Sequence, residues 1–535
     1  MTVPALRDLG FQHFLAKDWR AFQAETVEQI LRTDKKFVVC QAPTGFGKSP
    51  TAMALARLIL KTAKPRLKVN RSGEVEEWPP QASILTATKQ LQSQYVGDFG
   101  DAAREVKGRA NFGCTIDPVP ASEGLCTLSD VTDIGCKGSC PYYIQKGMAE
   151  KAAIVIHSYA YFLNAANYAG SFTQQELLVL DEGHLLDDML MSFISSSARA
   201  STCAAFQINL PSPGKVWTWD QWKSWATGYS GDLNDQLAVM EDRIEADLDV
   251  RRKYKAGVAL SRTMDFLREA EEKWVCVPST DGWDFMPTWI GQYANKYLYR
   301  HAKKVVIMSA TVLNPEVFCK VAGISPDEME FIDIPSTFPA GSRPIYYDPA
   351  MAVKGGQGAD HYRPLLDGVY DVMREHGGDK GLIHCVSYQI AQEVMNNAPA
   401  DLRRRLMTHA TADRLRQYDA FRLRKDDAIL VSPSMKEGVS LEDDQCRFIV
   451  VCKVPYPYLG SPQIKARMDS QMGQAWFTWK AFCDLVQMTG RGMRSDTDSC
   501  AVYILDENFR RVFQQVKRHV PQYWKADLVD VRGAL

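Results

Sequence analysis

The 535-residue chain lacks several features that would assign it to a special class. No run of about eighteen apolar residues is present, which argues against a membrane-spanning helix. The first residues, MTVPALRDLGFQHF, lack the apolar core of a signal peptide. Thirteen cysteines, an odd number scattered over a long chain, do not form the pattern of a disulfide framework. These absences predict a soluble protein with reduced thiols and no membrane partner, which is cytoplasmic or nucleoid-associated.

Net charge is almost absent as well, because 63 basic residues are balanced by 64 acidic ones to give −1. Any contact with nucleic acid would therefore need a local basic surface. The sequence also lacks internal repeats and low-complexity tracts. A chain of 535 residues is longer than one hydrophobic core normally supports, so we expect about three or four domains.

Short β-rich runs alternate with helical patterns through most of the chain. The runs in the first half are KKFVVCQ (35–41), QASILTAT (81–88), AAIVIHS (152–158), ELLVLDE (176–182) and KKVVIMSAT (303–311). Those in the second half are KGLIHCVS (380–387), DAILVSP (427–433), CRFIVVCKVP (446–455) and CAVYILD (500–506). Such alternation predicts parallel sheets with crossover helices.

The expected architecture is therefore α/β, with two parallel-sheet domains and two insertions in the first. Residues 187–295 interrupt the strand rhythm with helical runs rich in Trp and charged residues, and IPSTFPAGSRPI (334–345) indicates a linker. The predicted segments of the first domain are 1–107, 146–186 and 296–340, its insertions are 108–145 and 187–295, and the second domain is 341–535.

A glycine-rich stretch, QAPTGFGKSP, directly follows the first predicted strand. Glycines allow the loop to turn its N–H groups inward, where they and the next helix N-terminus can hold phosphates. Lys48 would reach the β- and γ-phosphates, and the Ser49 hydroxyl would bind Mg²⁺. The predicted ATP-binding residues of this loop are Thr44, Gly45, Gly47, Lys48 and Ser49.

Two acidic residues in LLVLDEGHLL supply the second half of a phosphoryl-transfer site. Asp181, at the end of an apolar run, would hold Mg²⁺, and Glu182 would orient and deprotonate the attacking water. His184 is suited to relay the nucleotide state to the neighbouring segment. Because the pair lies downstream of a phosphate loop, we predict that both carboxylates are catalytic.

A basic segment, QMTGRGMR (487–494), lies late in the second predicted domain. Arg491 and Arg494 are three residues apart and can share a helical face. Charge that develops on the γ-phosphate is stabilised by a cation from outside the loop, an effect of about 10³–10⁵ in rate. Both arginines are therefore predicted to be catalytic, and Gln487 to contact ATP.

In chain order, APTGFGKS, ILTATKQLQSQ, DEGH, MSAT, KEGVSL and QMTGRGMR resemble the motifs of superfamily 2 helicases. The stretch GRANFGC, followed by three more cysteines, resembles the XPD/DinG family of iron–sulfur helicases. This resemblance, from Arg20 to about Asp506, implies two RecA-like motor domains, an iron–sulfur insertion at 108–145 and an Arch-like insertion at 187–295. Two positions depart from the family pattern: Gly183 stands where Ala or Cys is usual, and Ser440 where Asp is frequent.

Four cysteines crowd into one short stretch with the spacing C-x11-C-x9-C-x3-C: Cys114, Cys126, Cys136 and Cys140. From the spacing alone, a zinc site, an iron–sulfur site and scattered structural thiols all remain open. The family resemblance implies a [4Fe–4S] cluster held by the four thiolates. An insertion of about forty residues is too small for a hydrophobic core of its own, and a cluster would serve as that core.

The same resemblance implies an ATP-dependent DNA helicase that moves 5′→3′ on single-stranded DNA, with ATP as substrate and Mg²⁺ as cofactor. Arg20 and Gln23 in WRAFQAE match an R-x-x-Q element, in which Gln23 would read the adenine edge. Implied partners are single-stranded DNA, forks or junctions, and RNA–DNA hybrids. The candidate DNA contacts are Thr86, Thr88, Gln92, Arg109, Tyr142, Ser387 and Tyr388.

Two other functions fit the same motor residues. One is a translocase that acts on RNA–DNA hybrids or protein–DNA complexes without opening duplex DNA. The other is an ATP-gated DNA-binding scaffold, which would have no need of the complete catalytic set.

Overall fold

The computed structural model describes residues 3–11, 13, 14, 16, 18–69, 73–128, 135–212, 214, 217–270, 274–337, 341, 343–356, 359–434, 441, 443–490 and 498–535. The strands within these residues are β1 (Phe37–Gln41), β2 (Arg66–Val69), β3 (Val75–Trp78), β4 (Ala82–Thr86), β5 (Arg104–Glu105), β6 (Ile154–Ser158), β7 (Gln175–Asp181), β8 (Ser196–Arg199), β9 (Val275–Ser279), β10 (Gly282–Met286), β11 (Ala302–Ser309), β12 (Met329–Asp333), β13 (Ile345–Met351), β14 (Gly381–His384), β15 (Leu406–Thr408), β16 (Ile429–Ser432), β17 (Phe448–Val451), β18 (Ala501–Asp506) and β19 (Leu528–Asp530).

The α-helices within the same residues are α1 (Gln23–Arg32), α2 (Lys48–Thr62), α3 (Lys89–Phe99), α4 (Pro141–Lys151), α5 (Tyr159–Tyr168), α6 (Leu186–Ile194), α7 (Ala200–Ala205), α8 (Trp219–Met240), α9 (Leu248–Glu269), α10 (Gly291–Tyr297), α11 (Pro315–Ala322), α12 (Arg363–Glu375), α13 (Tyr388–Asn396), α14 (Ala400–Arg403), α15 (Arg414–Leu423), α16 (Pro462–Met468), α17 (Gly473–Thr489), α18 (Asn508–Val516) and α19 (Gln522–Ala526). No helix among the described residues is both long and apolar enough to cross a lipid bilayer.

Two seven-stranded sheets organise the molecule, one in each half of the chain. Their strand orders are β12-β1-β11-β7-β4-β6-β5 and β15-β16-β14-β17-β18-β13-β19. Every neighbouring pair in both sheets is parallel. All nine runs predicted from the sequence form strands of these sheets, which confirms the two parallel-sheet domains.

The strand order of the first sheet decides where its loops meet. β11 lies between β1 and β7, so the segments that follow these three strands leave the sheet side by side. In an open parallel sheet, ligands bind at this carboxyl edge. The glycine-rich loop, the acidic pair and the SAT segment (309–311) therefore share one edge.

The segment 187–295 differs in one respect from the expected mostly helical insertion. Helices α8 and α9 pack together, and an antiparallel sheet of order β8-β10-β9 packs beside them. Its core contains buried tryptophans, among them Trp222 and Trp283. Alternation in these short strands is too weak to be recognised among the helical patterns that flank them.

Candidate functional site

The glycine-rich loop connects β1 to α2 and has the backbone of a phosphate-binding turn. Gly45 and Gly47 adopt φ of 84° and 86°, a left-handed region that side chains rarely enter. A Cβ on Gly47 would also overlap the Gln23 amide nitrogen. Because α2 begins at Lys48, the N–H groups of the loop and of the first helical turn are available for an anion.

Lys48 and Glu182 form an ion pair across the carboxyl edge of the sheet. The distance between Lys48 Nζ and Glu182 Oε1 is 2.5 Å, and both side chains are half-buried. The two residues are 134 positions apart in sequence and meet because β1 and β7 flank β11. The structure thus brings the predicted phosphate-binding cation and the predicted base into contact.

Asp181, the predicted magnesium ligand, lies buried at the end of β7. The Tyr95 hydroxyl donates a hydrogen bond to Asp181 Oδ2 at 3.1 Å and is also hydrogen-bonded to Ser49. Burial raises the pKa of Asp181 to about 6, while Lys48 lowers it and Glu182 raises it. Tyr95 therefore holds the two predicted magnesium ligands, Ser49 and Asp181, beside each other, and nothing in the sequence around it indicated this role.

Glu182 is held in a strained backbone conformation with φ of 51°. Such a conformation costs on the order of 1–3 kcal/mol in a residue with a side chain, and it clusters at functional sites. His184 Nδ1 lies 3.4 Å from Glu182 Oε2 and 3.1 Å from the Ser309 hydroxyl. His184 thus connects the acidic pair to the segment that follows β11.

The second domain reaches this edge through α17. Gln487 Nε2 donates a hydrogen bond to the Thr311 hydroxyl at 2.9 Å and lies 3.4 Å from His184 Nδ1. Helix α17 ends at Thr489, just before Arg491 and Arg494. The predicted cations from the second domain lie outside the described residues, as does the KEGVSL stretch except for Leu441.

A cavity of about 380 Å³ opens between the two domains beside the glycine-rich loop. Thr44 and Pro43 line it from the first domain, and Gln487, Gly490 and Tyr523 line it from the second. Two residues predicted to contact ATP, Thr44 and Gln487, therefore lie on opposite walls of one interdomain space.

Arg20 and Gln23 hold the glycine-rich loop through hydrogen bonds to its backbone. Arg20 Nη1 donates to the Gly45 carbonyl at 2.9 Å, and Gln23 Nε2 donates to the Phe46 carbonyl at 2.7 Å. Gln23 is buried, and its amide oxygen accepts from the Arg20 N–H at 2.9 Å. In this structure the amide holds the loop, and its contact with adenine stays a prediction.

The four clustered cysteines lie in one small region in front of α4. Cys136 and Cys140 are buried with Tyr142 and pack against Phe112. Burial raises the pKa of the Cys136 thiol, and the nearby thiols of Cys126, Cys140 and Cys114 raise it further, so all three lie close to Cys136. Within the described part of the chain, no three His, Cys, Asp or Glu side chains lie close enough together to hold a single metal ion.

Arg109 lies next to these thiols. Its guanidinium is 5.1 Å from the Tyr142 ring and 5.7 Å from the Tyr143 ring, and it donates to the Tyr143 hydroxyl at 3.2 Å. The same hydroxyl is hydrogen-bonded to Cys126. Arg109 Nε is buried and has no hydrogen-bond partner among the described residues.

The predicted DNA contacts differ in accessibility. Arg109 and Tyr142 lie beside the cysteines, where Tyr142 is buried. Thr86 and Gln92 are buried, and both donate to backbone carbonyls inside the first domain, so neither side chain is accessible to a DNA strand in this structure. Thr88 and Ser387 accept hydrogen bonds as the N-caps of α3 and α13. Tyr388 is 50% exposed, and its hydroxyl lies 2.5 Å from that of Thr411.

Two family models match the chain. The Helicase C-terminal domain matches residues 371–527, and DEAD_2 matches residues 117–202. Both matches fall on regions already described: the first on the second parallel-sheet domain, and the second on the stretch that holds three of the clustered cysteines and the acidic pair.

Two curated relatives are each named General transcription and DNA repair factor IIH helicase subunit XPD. The protein from Dictyostelium discoideum is 35% identical over 77 residues, which cover 14% of this chain and 10% of the relative. That from Arabidopsis thaliana is 32% identical over 91 residues, which cover 16% of this chain and 12% of the relative. The matched stretch thus spans only about a tenth of each relative's length.

Solved structures are similar over almost the whole chain. The structure named XPD_Helicase has a TM-score of 0.67 at 16% identity and covers 96% of this chain and 100% of its own. The structure of S. tokodaii Xpd4 has a TM-score of 0.56 at 13% identity and covers 95% and 99%. These likenesses show that the two parallel-sheet domains have the RecA-like fold of the XPD structures.

Proposed function

We propose that this chain, which matches two helicase family models and resembles XPD structures in fold, hydrolyses ATP to travel 5′→3′ along single-stranded DNA and to unwind duplex DNA. The observation that carries this proposal is the Lys48–Glu182 ion pair, which His184 connects to Gln487 of the second domain. A cation on a phosphate loop, a carboxylate at the end of another strand of the same sheet and a second domain opposite are the parts that ATP-driven closure requires.

The ion pair suggests how the site changes when ATP binds. Phosphates seated on the loop would draw Lys48 away from Glu182, because their negative charge exceeds that of one carboxylate. Glu182, already held by its strained backbone, is then available to accept a proton from the attacking water. Arg491 and Arg494 would stabilise the charge that develops on the γ-phosphate from the second domain.

Mg²⁺ fits the residues that lie beside the loop. Ser49 and Asp181 are brought together by the Tyr95 hydroxyl, and hydroxyl and carboxylate oxygens are the donors that Mg²⁺ prefers. When bound, the ion neutralises phosphate charge. Tyr95 keeps Asp181 oriented toward the loop in its absence.

A [4Fe–4S] cluster is the group that we propose for Cys114, Cys126, Cys136 and Cys140. The thiols of Cys114, Cys126 and Cys140 all lie near enough to Cys136 to raise its pKa, which supports one shared site. A four-iron cluster would be held by the four thiolates. The buried Arg109 Nε beside them is a donor suited to an anionic cluster.

Contacts between the two insertions support a closed path for the DNA strand. Arg251 of α9 is buried and binds Asp117 Oδ2 at 2.7 Å, and Arg252 binds Glu123 at 2.7 Å. The helical insertion therefore rests on the cysteine-bearing insertion. We propose that single-stranded DNA passes between them and the motor domains, with Arg109, Ser387 and Tyr388 among its contacts.

A strand-displacement assay on 5′-tailed and 3′-tailed duplexes tests the function. We expect ATP-dependent displacement of the 5′-tailed DNA, ATPase that single-stranded DNA stimulates, and no activity in Lys48→Ala. Displacement of only the 3′-tailed duplex would make the direction wrong. Displacement of an RNA–DNA hybrid alone would favour the hybrid-directed translocase, and ATPase indifferent to DNA would favour the scaffold.

A further inference from the structure

One arginine of the second domain is clamped by both ends of the helical insertion. Arg467 of α16 is buried, and its two terminal nitrogens bind the two carboxylate oxygens of Asp187 at 2.6 and 2.9 Å. Its Nε donates to the Thr288 carbonyl at 2.8 Å. Asp187 stands where the chain enters the insertion, and Thr288 stands where the chain is about to leave it.

Two tryptophans complete the clamp. The guanidinium carbon lies 4.7 Å from the Trp289 ring and 4.6 Å from the Trp476 ring, and the two rings are 5.6 Å apart at 87°. A planar guanidinium between two indoles with a bidentate carboxylate is a rigid arrangement, which the flexible point charge of a lysine cannot reproduce. Helix α16 also packs against β9 of the insertion.

Helix α17 extends from this clamp to the nucleotide cleft. Trp476, Lys480, Cys483 and Gln487 repeat at helical spacing along the face that meets the first domain. Lys480 Nζ lies 3.9 Å from Asp188, and Cys483 Sγ donates to the Thr311 carbonyl at 3.5 Å. The helix has 17 residues and spans about 25 Å at 1.5 Å per residue, so one rod connects the clamp to Gln487.

We propose that Arg467 is a positioning residue that makes the helical insertion move with the second motor domain when ATP closes the cleft. This inference rests on the proposed function and adds how nucleotide state reaches the insertion. Asp187 lies on α6, which a single turn over Gly183–Leu185 separates from the acidic pair. The clamp therefore joins the helix that follows Glu182 to the domain that carries the opposite wall of the cleft. Without the clamp, ATP turnover continues, but the helical insertion no longer moves with the second motor domain.

The test compares Arg467→Gln with Arg404→Gln in the full-length protein. Arg404 makes another bidentate pair, with Asp427 at 3.1 and 3.2 Å, but on the surface and within the second domain. Three quantities are measured: DNA-stimulated ATPase, base pairs unwound per ATP, and hydrogen exchange of residues 275–289 and 41–51 with and without a non-hydrolysable ATP analogue.

In Arg467→Gln we expect near-normal ATPase, unwinding per ATP lowered about tenfold, within the usual range of coupling between sites, and loss of the nucleotide-dependent exchange change in 275–289. The change in 41–51 should persist, and Arg404→Gln should match the wild type. Unwinding per ATP equal to that of Arg404→Gln, or a persistent exchange change in 275–289, would overturn the proposal.

Two further results separate other outcomes. If Arg467→Gln does not fold, Arg467→Lys decides by the same readouts, because it keeps the buried cation and loses the fork. A wild type that neither hydrolyses ATP nor unwinds DNA would refute the proposed function, whereas the exchange experiment with the bound analogue still tests the clamp. A wild type without a nucleotide-dependent change in 275–289 refutes the clamp alone.

Discussion

Gly183 and Ile307 pack so closely that no side chain fits at residue 183. A Cβ there would overlap the branched methyl group, Cγ2, of Ile307 on the neighbouring strand β11. Gly183 follows Glu182 directly, and β7 and β11 are paired up to Asp181. Related motifs have Ala or Cys at the position of Gly183 in DEGH. Here Ile307 on the neighbouring strand occupies the space that such a side chain would need.

Gly183→Ala should destabilise the protein by about 1–3 kcal/mol, because overpacking forces the strand and the acidic loop apart. Ile307→Leu removes the branched methyl at nearly constant volume, so the double variant should regain most of the loss. Urea unfolding of the four proteins measures this coupling. A Gly183→Ala protein as stable as the wild type would show that the loop relaxes freely.

Lys48→Ala should lower ATPase at least about a hundredfold, because it removes a cation that stabilises the transferring phosphoryl group. Lys48 lies at the N-terminus of α2, outside the hydrophobic core, so the melting temperature should change little. Steady-state ATPase and a melting curve measure both. Lys61→Ala, at the exposed end of the same helix, is the matched control and should keep full ATPase.

Cys136→Ser should abolish the brown colour and the iron and sulfide content of anaerobically purified protein, because one thiolate of the proposed cluster is lost. Unwinding should be lost with it, whereas some ATPase should remain, since the ATP cleft lies in a separate part of the fold. Cys276→Ser, a half-buried thiol of β9, is the control and should keep the wild-type iron content. Unchanged iron and unwinding in Cys136→Ser would contradict the cluster assignment.

Tyr388→Ala should weaken binding of single-stranded DNA by about 1–3 kcal/mol if the exposed ring stacks on a base. The loss should persist as salt is raised, because stacking does not depend on counterion release, whereas overall affinity should fall steeply with salt. Fluorescence anisotropy with a labelled oligonucleotide measures both. Tyr168→Ala, at a tyrosine of α5 that is 76% exposed, should bind as the wild type does.

Strand prediction succeeded where burial is two-sided. The five residues of β1 and of β4 are buried throughout, so each appears in the sequence as a mainly apolar run. The pattern fails for β2 and β3, which alternate exposed and half-buried residues in a surface hairpin, and for β12, which is half-buried at the sheet edge. Edge and surface strands bury little apolar area, so their sequences lack the apolar run by which a strand is recognised.

Sequence also missed the residues that position the catalytic groups. Tyr95 carries no local signal, because its hydroxyl reaches Asp181 only after α3 packs against the sheet, 86 residues away in sequence. The contact of Gln23 with adenine stays a prediction, but nothing in its motif indicated that its amide also holds the loop. A motif gives the type of a side chain, whereas its partner depends on the packing around it.

By itself the sequence determined the chemistry: a glycine-rich loop after a buried strand, an acidic pair after another, and four thiols at close spacing. The tertiary structure alone decided which of these meet. The order β1-β11-β7 places Lys48 against Glu182, and the docking of the second domain places Arg467 against Asp187, 280 residues away. Strand order and domain docking depend on contacts between residues that are far apart in sequence. Local residue patterns do not indicate which of these contacts form.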